Sequence, residues 1–393
     1  MVNKKIEMAE ENLIHVYRRF PIALDHGEGM YIYDTEGKKY LDFAAGFAVT
    51  GLGYNNKELN EAIKAQVDKL YHISNLYFHE SCGEAAKELN RISGMDRVFF
   101  TNSGSEANEG ALKAARKYAF TKGNGRYEFI AMEHSFHGRS FGALSVTGHK
   151  PYREPFEPLL PEVKFAQFNH LESVKELVNE KTCAIILEPL QGEGGINLAT
   201  KEFMQGIRKI CDENDILMIC DEVQCGMGRT GTMFAWQGYG VKPDILTMAK
   251  AIGNGIPVGA FAMTEKVAEC SLKPGDHGAT YGGNPLACTA VKKVIEIFER
   301  DHILEHVNEI TPYFTEQLNK IVEDFDCVKE RKGKGLMQGL VITKPINEVN
   351  DKAIEEGLLI IQAHGNVIRF VPPLIVGKQH IDEMIVKLRN ILS

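Results

Sequence analysis

The sequence is short of the features that mark membrane, secreted or nucleic-acid-binding chains. No run approaches the ~18 uninterrupted apolar residues that a membrane-spanning helix needs. The N-terminus, MVNKKIEMAEEN, has no apolar stretch behind its lysines, so no secretory signal is expected. Basic residues do not predominate. The formal net charge is −8, which argues against nucleic acid as a partner. A small anionic substrate is still admissible, because local arginines decide that binding. None of the 8 cysteines forms a C-x-x-C pair. The nearest spacing, Cys220 to Cys225, suits neither zinc nor a thioredoxin-like motif, so free thiols in a reducing cytoplasm are expected. His134 and His137 do not form H-E-x-x-H, and no metal site is expected. The absence of G-x-x-x-x-G-K-[ST] excludes a P-loop. There is no internal repeat and no low-complexity tract.

What is present is a rhythm. Residues 17–54 are strand-rich and punctuated by Pro21, Gly27, Gly29, Asp34 and Gly37. From 56 to about 290 short apolar runs alternate with helical patterns. The runs are Val98–Phe100, Phe129–Met132, Cys183–Leu187, Ile216–Cys220, Ile245–Met248 and Val258–Met263. The helical patterns lie at 56–70, 81–92, 105–121, 170–180 and 201–214. Continuously apolar strands separated by helices predict an α/β fold with a largely parallel sheet covered on both faces. Beyond 290 the order changes to helices (286–300, 304–324), short strands (Gly335–Ile342, Leu358–Ile361, Val367–Val371) and a last helix (378–392). The expected organisation is a large domain over 53–287 and a smaller α+β domain. The smaller domain combines the N-terminal segment 1–52 with residues 288–393.

Open α/β sheets bind ligands at the carboxyl ends of their strands, and the unusual residues fall there. Val98–Phe100 leads into Thr101-Asn102-Ser103-Gly104-Ser105-Glu106 and then a helix. Small residues at a helix N-terminus offer backbone N–H groups to an anion. Taken alone, Ser103-x-x-Glu106 is read first as a capping box without a ligand. Ile216–Cys220 ends in Asp221, and Ile245–Met248 ends in Ala249-Lys250. A charge at the end of a buried strand is costly unless paired, and either residue alone is equally well a structural ion pair. Two opposite charges on successive strand ends, beside an anion-type loop, fit pyridoxal 5′-phosphate. That cofactor needs a lysine for its imine, a carboxylate at the pyridine nitrogen and a phosphate anchor. Gly226-x-Gly228-x-x-Gly231 matches the dinucleotide fingerprint, but no helix opens at the glycines. The next acid, Asp244, comes too early.

These residues resemble the class III (ornithine-type) aminotransferases, which have pyridoxal-phosphate fold type I. The similarity runs nearly end to end. It is carried by Asp34-x-x-Gly37-x-x-Tyr40-x-Asp42-Phe43, Asn102-Ser103-Gly104-Ser105-Glu106-Ala107-Asn108 and Phe136-His137-Gly138-Arg139. It continues in Glu188-Pro189-x-Gln191-Gly192-Glu193-Gly194-Gly195, Asp221-Glu222-Val223-Gln224-x-Gly226-x-Gly228-Arg229-Thr230-Gly231, Ala249-Lys250 and Thr280-Tyr281-Gly282-Gly283-Asn284-Pro285. Within the class, Tyr71–Asn75, Phe43–Gly53 and Asp221–Gly231 are most similar to members that move the δ-amino group of N-acetylornithine to 2-oxoglutarate, in arginine biosynthesis.

The resemblance implies a cytoplasmic homodimer acting on small amino and oxo acids. Gly104 and Ser105 would hold the phosphate, joined by Thr280 from the other subunit. Phe136 would stack on the ring, Asp221 pair with its nitrogen, and Gln224 lie near its phenolic oxygen. Lys250 would be both imine former and proton shuttle. Arg139 would bind the distal carboxylate of both donors and Arg369 the α-carboxylate of glutamate, with Glu193 as a movable mask over Arg369. Tyr17 and Ala279 would also face the substrate. Position 105 is Ser where many members have Thr. Ala279 replaces a hydroxyl residue found in several acetylornithine-type members, and Phe47 replaces a Tyr of the ornithine-type ones. Ornithine, succinylornithine and other ω-amino donors therefore stay open as substrates. An aminomutase with the same cofactor is a further alternative, disfavoured by the second carboxylate site at Arg369.

Overall fold

The computed structural model describes residues 4–393. Residues 1–3, the start of the 1–52 segment, lie outside the described residues. The largest sheet has seven strands. In spatial order they are Arg97–Thr101, Gly259–Met263, Ile245–Ala249, Leu217–Asp221, Thr182–Leu187, Glu128–Met132 and Val163–Ala166. All neighbours from Ile245–Ala249 to Val163–Ala166 pair in parallel. Gly259–Met263 runs antiparallel to both of its neighbours. The fold is thus α/β with a mostly parallel sheet, as the apolar runs predicted.

Burial explains why these runs carry no polar alternation. Thr182–Leu187, Leu217–Asp221 and Ile245–Ala249 are buried at every position. Helices cover both faces, so neither side of these strands meets water. On one face the Gly104–Thr121 helix packs Ala111, Ala114, Ala115 and Tyr118 against Phe129, Ile186, Ile219 and Phe261. On the other, Phe203, Met204 and Ile207 of the Lys201–Asn214 helix join Ile185, Leu187 and Met218.

A second, antiparallel sheet takes the order Val328–Lys334, Met337–Ile342, Val367–Phe370, Ile361–Ala363. Helices Ile303–Asp324 and Lys378–Leu392 supply its core through Phe314, Leu318, Ile381, Met384 and Leu388. The N-terminal strands Leu24–Glu28, Tyr31–Asp34 and Lys39–Asp42 form a third sheet, to which Leu358–Leu359 adds in parallel. That pairing ties the two ends of the chain together.

Besides the short pair Leu190–Gln191 and Asn197–Leu198, two strands were not anticipated from the pattern, Val163–Ala166 and Val328–Lys334. Each lies at a sheet edge and pairs on one side only. Their sequences, VKFA and VKERKGK, carry the lysines with which edge strands discourage further pairing.

Candidate active site

Because most strands of the large sheet are parallel, their carboxyl ends share one edge. Lys250, Asp221 and Glu188 follow or end three neighbouring strands there, and Phe136–Arg139 follow a fourth. Together with Gly104, Ser105, Asn108, Glu193 and Gln224 they line a cavity of about 250 Å³.

Asp221 is 4% exposed and is held from three sides. Its Oδ2 accepts from Asn108 Nδ2 at 2.7 Å and lies 2.8 Å from His137 Nδ1. Its Oδ1 accepts from the Val223 N–H at 3.0 Å. Asn108 is oriented in turn. Its Oδ1 accepts from Thr247 Oγ1 at 2.8 Å, and its Nδ2 also donates to the His137 carbonyl at 2.7 Å. Such a network fixes a carboxylate in one rotamer.

Lys250 follows the strand Ile245–Ala249 with φ of +54°, in the left-handed region that non-glycine residues occupy at a cost of order 1 kcal/mol. Burial pulls its amine down to about 8 from the ordinary 10.5. Arg369 pulls in the same direction, whereas Glu193, Asp221 and Glu188 oppose it. A depressed pKa enlarges the share of the neutral, nucleophilic amine near neutral pH. The Glu188 carboxyl moves the other way. Burial first, and the Asp221 charge second, raise it well above the usual carboxylate range. One of its oxygens accepts from the Phe136 N–H at 3.3 Å, and the other is buried without a partner.

At the far wall the Gly104–Thr121 helix begins. Ser103 Oγ caps it, accepting from the Glu106 N–H at 3.2 Å. Glu106 does not complete the expected box; its carboxylate reaches back to the Asn102 N–H at 2.7 Å. The first-turn N–H groups of Gly104 and Ser105 have no partner within the helix. A Cβ on Gly104 would stand 2.8 Å from Val223, so only glycine permits this approach to the turn after Asp221. Gly138, at φ +139°, similarly lies against Ser105, whose Oγ is 2.7 Å from Ser140 Oγ.

The two arginines differ. Arg139 is exposed, its guanidinium 3.7 Å from the centroid of the Tyr152 ring, and among the described residues it has no carboxylate partner. Arg369 is fully buried. Its Nη1 donates to Glu193 Oε1 at 2.8 Å and to Gln224 Oε1 at 3.0 Å, and its Nη2 to the Gln362 carbonyl at 3.1 Å. Glu193 thus stands between Arg369 and the cavity that it lines.

Four expected site residues are not among the residues that line the cavity: Arg369, which lies behind Glu193, and Thr280, Tyr17 and Ala279. Thr280 is exposed, and Tyr17 is 73% exposed. The carbonyl of Ala279 accepts from Asn75 Nδ2 at 3.1 Å, in a loop packed at the end of Arg97–Thr101. Conversely, Asn108, His137, Thr247 and Glu188 had no role assigned from sequence. Asn108 had a signal: it is a polar residue on the buried face of an otherwise alanine-rich helix.

The arrangement suits a phosphorylated pyridine aldehyde. Among the described residues Asp221 is a buried carboxylate with no lysine or arginine partner, Lys250 is a depressed amine, and the helix start at Gly104 and Ser105 lines the same cavity.

Comparison with known proteins agrees. The aminotransferase class-III family model matches residues 14–392. The acetylornithine aminotransferase of Caldanaerobacter subterraneus is 48% identical over 99% of this chain and 99% of its own. That of Methanocaldococcus jannaschii is 45% identical over 99% and 98%. The solved ornithine aminotransferase of Toxoplasma gondii superposes with a TM-score of 0.95 at 27% identity, over 99% of this chain and 93% of that one. The chain belongs to the class-III aminotransferases.

Proposed function

We propose that the protein transfers the δ-amino group of N-acetylornithine to 2-oxoglutarate in a two-step ping-pong cycle, as a step of arginine biosynthesis. The observation that carries the reading is the placement of Lys250 and Asp221 on adjacent parallel strand ends beside the Gly104–Ser105 helix start. The relatives named acetylornithine aminotransferase supply the substrate. The cofactor is pyridoxal 5′-phosphate, which when bound supplies an electron sink for the carbon that bears the donor nitrogen.

This chain's residues do the rest. The Gly104 and Ser105 amides and the Ser105 hydroxyl hold the phosphate, and Phe136 covers the ring. Asp221 keeps the pyridine nitrogen protonated by raising its pKa. Asn108 and His137 act as positioning residues for that carboxylate. Gln224 orients the phenolic oxygen. Lys250 would hold the cofactor, and its free amine would move a proton to and from the carbon that bears the donor nitrogen. Arg139, without a carboxylate partner among the described residues, takes the distal carboxylate of either donor as a planar fork. Arg369 takes the α-carboxylate of glutamate once Glu193 has turned away. Tyr17 and Ala279 border the substrate.

Residues 53–287 form the cofactor-binding domain, and 1–52 with 288–393 the smaller one. The pairing of Leu358–Leu359 with Lys39–Asp42 supports that division. The enzyme works as a cytoplasmic homodimer in which Thr280 reaches the neighbour's phosphate. Support comes from Leu76, Tyr77, Phe78 and Tyr281, all more than 60% exposed in the single chain. Apolar side chains so exposed and close in sequence or space mark an interface. Among the described residues no helix is long and apolar enough to cross a membrane.

The deciding experiment mixes the purified holoenzyme with N-acetylornithine, ornithine, N-succinylornithine and 4-aminobutyrate in single turnovers. It follows decay of the visible absorbance of the lysine-linked cofactor. N-acetylornithine should give the highest rate constant at subsaturating donor. A clear preference for another donor would replace the substrate and leave the class of reaction standing.

A further inference from the structure

Beside the catalytic cavity three imidazoles converge. One ring nitrogen each of His134, His149 and His364 lies within 4.8 Å of the others. They come from separate segments. His134 follows the strand Glu128–Met132, His149 precedes the helix Lys150–Arg153, and His364 follows the strand Ile361–Ala363. The sequence expectation of no metal site paired His134 with His137; the fold pairs it with two other histidines.

None of the three is occupied by a hydrogen bond, although the His149 ring also packs edge-on against Tyr152 at 4.2 Å. Among the described residues their rings have no hydrogen-bond or ion-pair partner. His149, although it sits at a helix N-cap, makes no capping bond through its side chain. The rings meet one another instead: His134 and His364 stack at 5.3 Å and 22°, and His149 meets His364 edge-on at 4.9 Å.

The backbone enforces this meeting. His134 is held at φ +61°, a left-handed conformation that costs a non-glycine residue of order 1 kcal/mol. Its N–H donates to the Gly148 carbonyl at 3.1 Å, and the Gly148 N–H returns to the Ser135 carbonyl at 3.0 Å. That exchange lays the His134 turn alongside His149. A Cβ at position 148 would fall 2.0 Å from the Met132 carbonyl, so the approach requires glycine. His364 is fixed from the other side, its N–H donating to the Glu193 carbonyl at 2.9 Å.

Charge makes this cluster unusual without an ion. Protonated, the three rings would repel one another; neutral, they present lone pairs with nothing to bind. A bound cation satisfies all three rings at once. Three imidazole nitrogens suit borderline ions such as zinc(II), nickel(II) or copper(II), whereas magnesium and calcium prefer oxygen. Tetrahedral Zn–N bonds need nitrogens ~3.3 Å apart. Binding an ion requires the rings to rotate and close that gap, and the side chains concerned are exposed (His134, His364) or partly so (His149). A cavity of about 250 Å³, also lined by Glu193 and Gln362, leaves room for water at a fourth position.

We propose that His134, His149 and His364 bind one divalent transition-metal ion of the zinc class beside the catalytic cavity. Phe136 and Glu193 line both cavities, so the ion sits against the wall that carries Glu193. It would cross-link three loops, one of which holds the Glu193 backbone.

The test uses chelator-treated holoenzyme and two probes, zinc(II) in equilibrium dialysis and cobalt(II) read by its visible spectrum. One ion per chain should bind, with cobalt d–d bands and no thiolate charge-transfer band. That band would instead report the partly exposed cysteines 82, 270 and 327. His149→Ala and His364→Ala should each weaken binding about tenfold or more, and the double variant should abolish it. Cofactor absorbance and thermal midpoint without metal verify that the variants are folded. The site is refuted if no stoichiometric ion is retained, if folded variants bind as tightly as the parent, or if sulfur ligates the ion.

Discussion

Two buried charges belong to the candidate site, Asp221, which lines the cavity, and Arg369, which lies behind Glu193, and they are held in opposite ways. Asp221 sits at the end of a fully buried strand and receives hydrogen bonds from groups that cannot leave: a backbone N–H, an oriented Asn108 and a His137 that is itself buried. Arg369 also lies on a buried strand, but its carboxylate partner does not. Glu193 is 26% exposed and belongs to a loop between short strands. The remaining polar partners of Arg369, Gln224 and the Gln362 carbonyl, are neutral. A charge that must serve every turnover in the same way is fixed by a closed network. A charge needed for only one of two substrates is paired with something that can move. Breaking a buried pair by removing one partner costs several kcal/mol, so the cavity must supply a replacement whenever Glu193 swings away. Glutamate's α-carboxylate is such a replacement.

The largest expected effect removes the residue that both charges serve. Lys250→Ala should keep the fold and lower turnover roughly 10⁴-fold or more, the upper range for a positioned acid–base group. It should also abolish the visible band, and borohydride reduction of the parent should leave the adduct on the peptide that carries Lys250. An adduct on another lysine would move the site.

Next comes the fixed charge. Asp221→Asn retains the shape and the acceptor for Val223 but removes the negative charge. Turnover should fall by about 10²–10³-fold, the scale of deleting one preorganised electrostatic group. Cofactor should still bind, because the phosphate anchor is elsewhere. Both half-reactions should suffer alike, and near-normal rates in either would contradict the role.

The movable charge should behave differently. Arg369→Ala should slow the glutamate half-reaction about 100-fold, the worth of a charge-assisted bidentate contact of roughly 3 kcal/mol, and spare the acetylornithine half within about tenfold. Glu193→Ala should do the reverse, weakening the acetylornithine half and easing reaction at glutamate's α-amine. Stopped-flow traces of the two halves separate these outcomes. Equal losses from Arg369→Ala would make Arg369 and Glu193 a permanent structural pair.

How much of this could be read in advance follows from the same physics. Six strands of the large sheet were legible because burial on both faces leaves continuous apolar runs. The seventh, Val163–Ala166, and the charged Val328–Lys334 were not, since an edge strand is half-solvated and need not look apolar. Asp221 and Lys250 stood out because a charge ending an apolar strand is improbable unless used. Asn108, His137 and Thr247 are ordinary polar residues whose meaning comes only from partners far away in the chain. The histidine cluster joins positions 134 and 149 to position 364, and no local spacing encodes that meeting. The exposed placement of Thr280 describes one chain and leaves its expected role to the dimer.

The smallest effect is a pH slope that reads how deeply Lys250 is buried. Its amine in the folded chain titrates at about 8, below the ordinary 10.5, chiefly through desolvation. Below pH 8 folded and unfolded chains both carry the proton, so the penalty for burying a charged lysine is complete and constant. Between 8 and 10.5 the unfolded chain still holds a proton that the folded chain has released, and stability rises with pH. Above 10.5 neither holds it and the penalty is gone. In apoenzyme, where the amine is free, Lys250→Met should therefore be more stable than the parent at pH 7, and the gap should shrink as the pH approaches 10. One proton limits the slope to about 1.4 kcal/mol per pH unit. Subtracting the two denaturation curves at each pH cancels every other titrating group that the variant leaves in place. A constant gap from pH 7 to 10 would mean that water reaches the amine in the folded chain. Lys250 would then lack the depressed pKa that makes it a nucleophile, whereas Asp221, fixed by its network, would be unaffected.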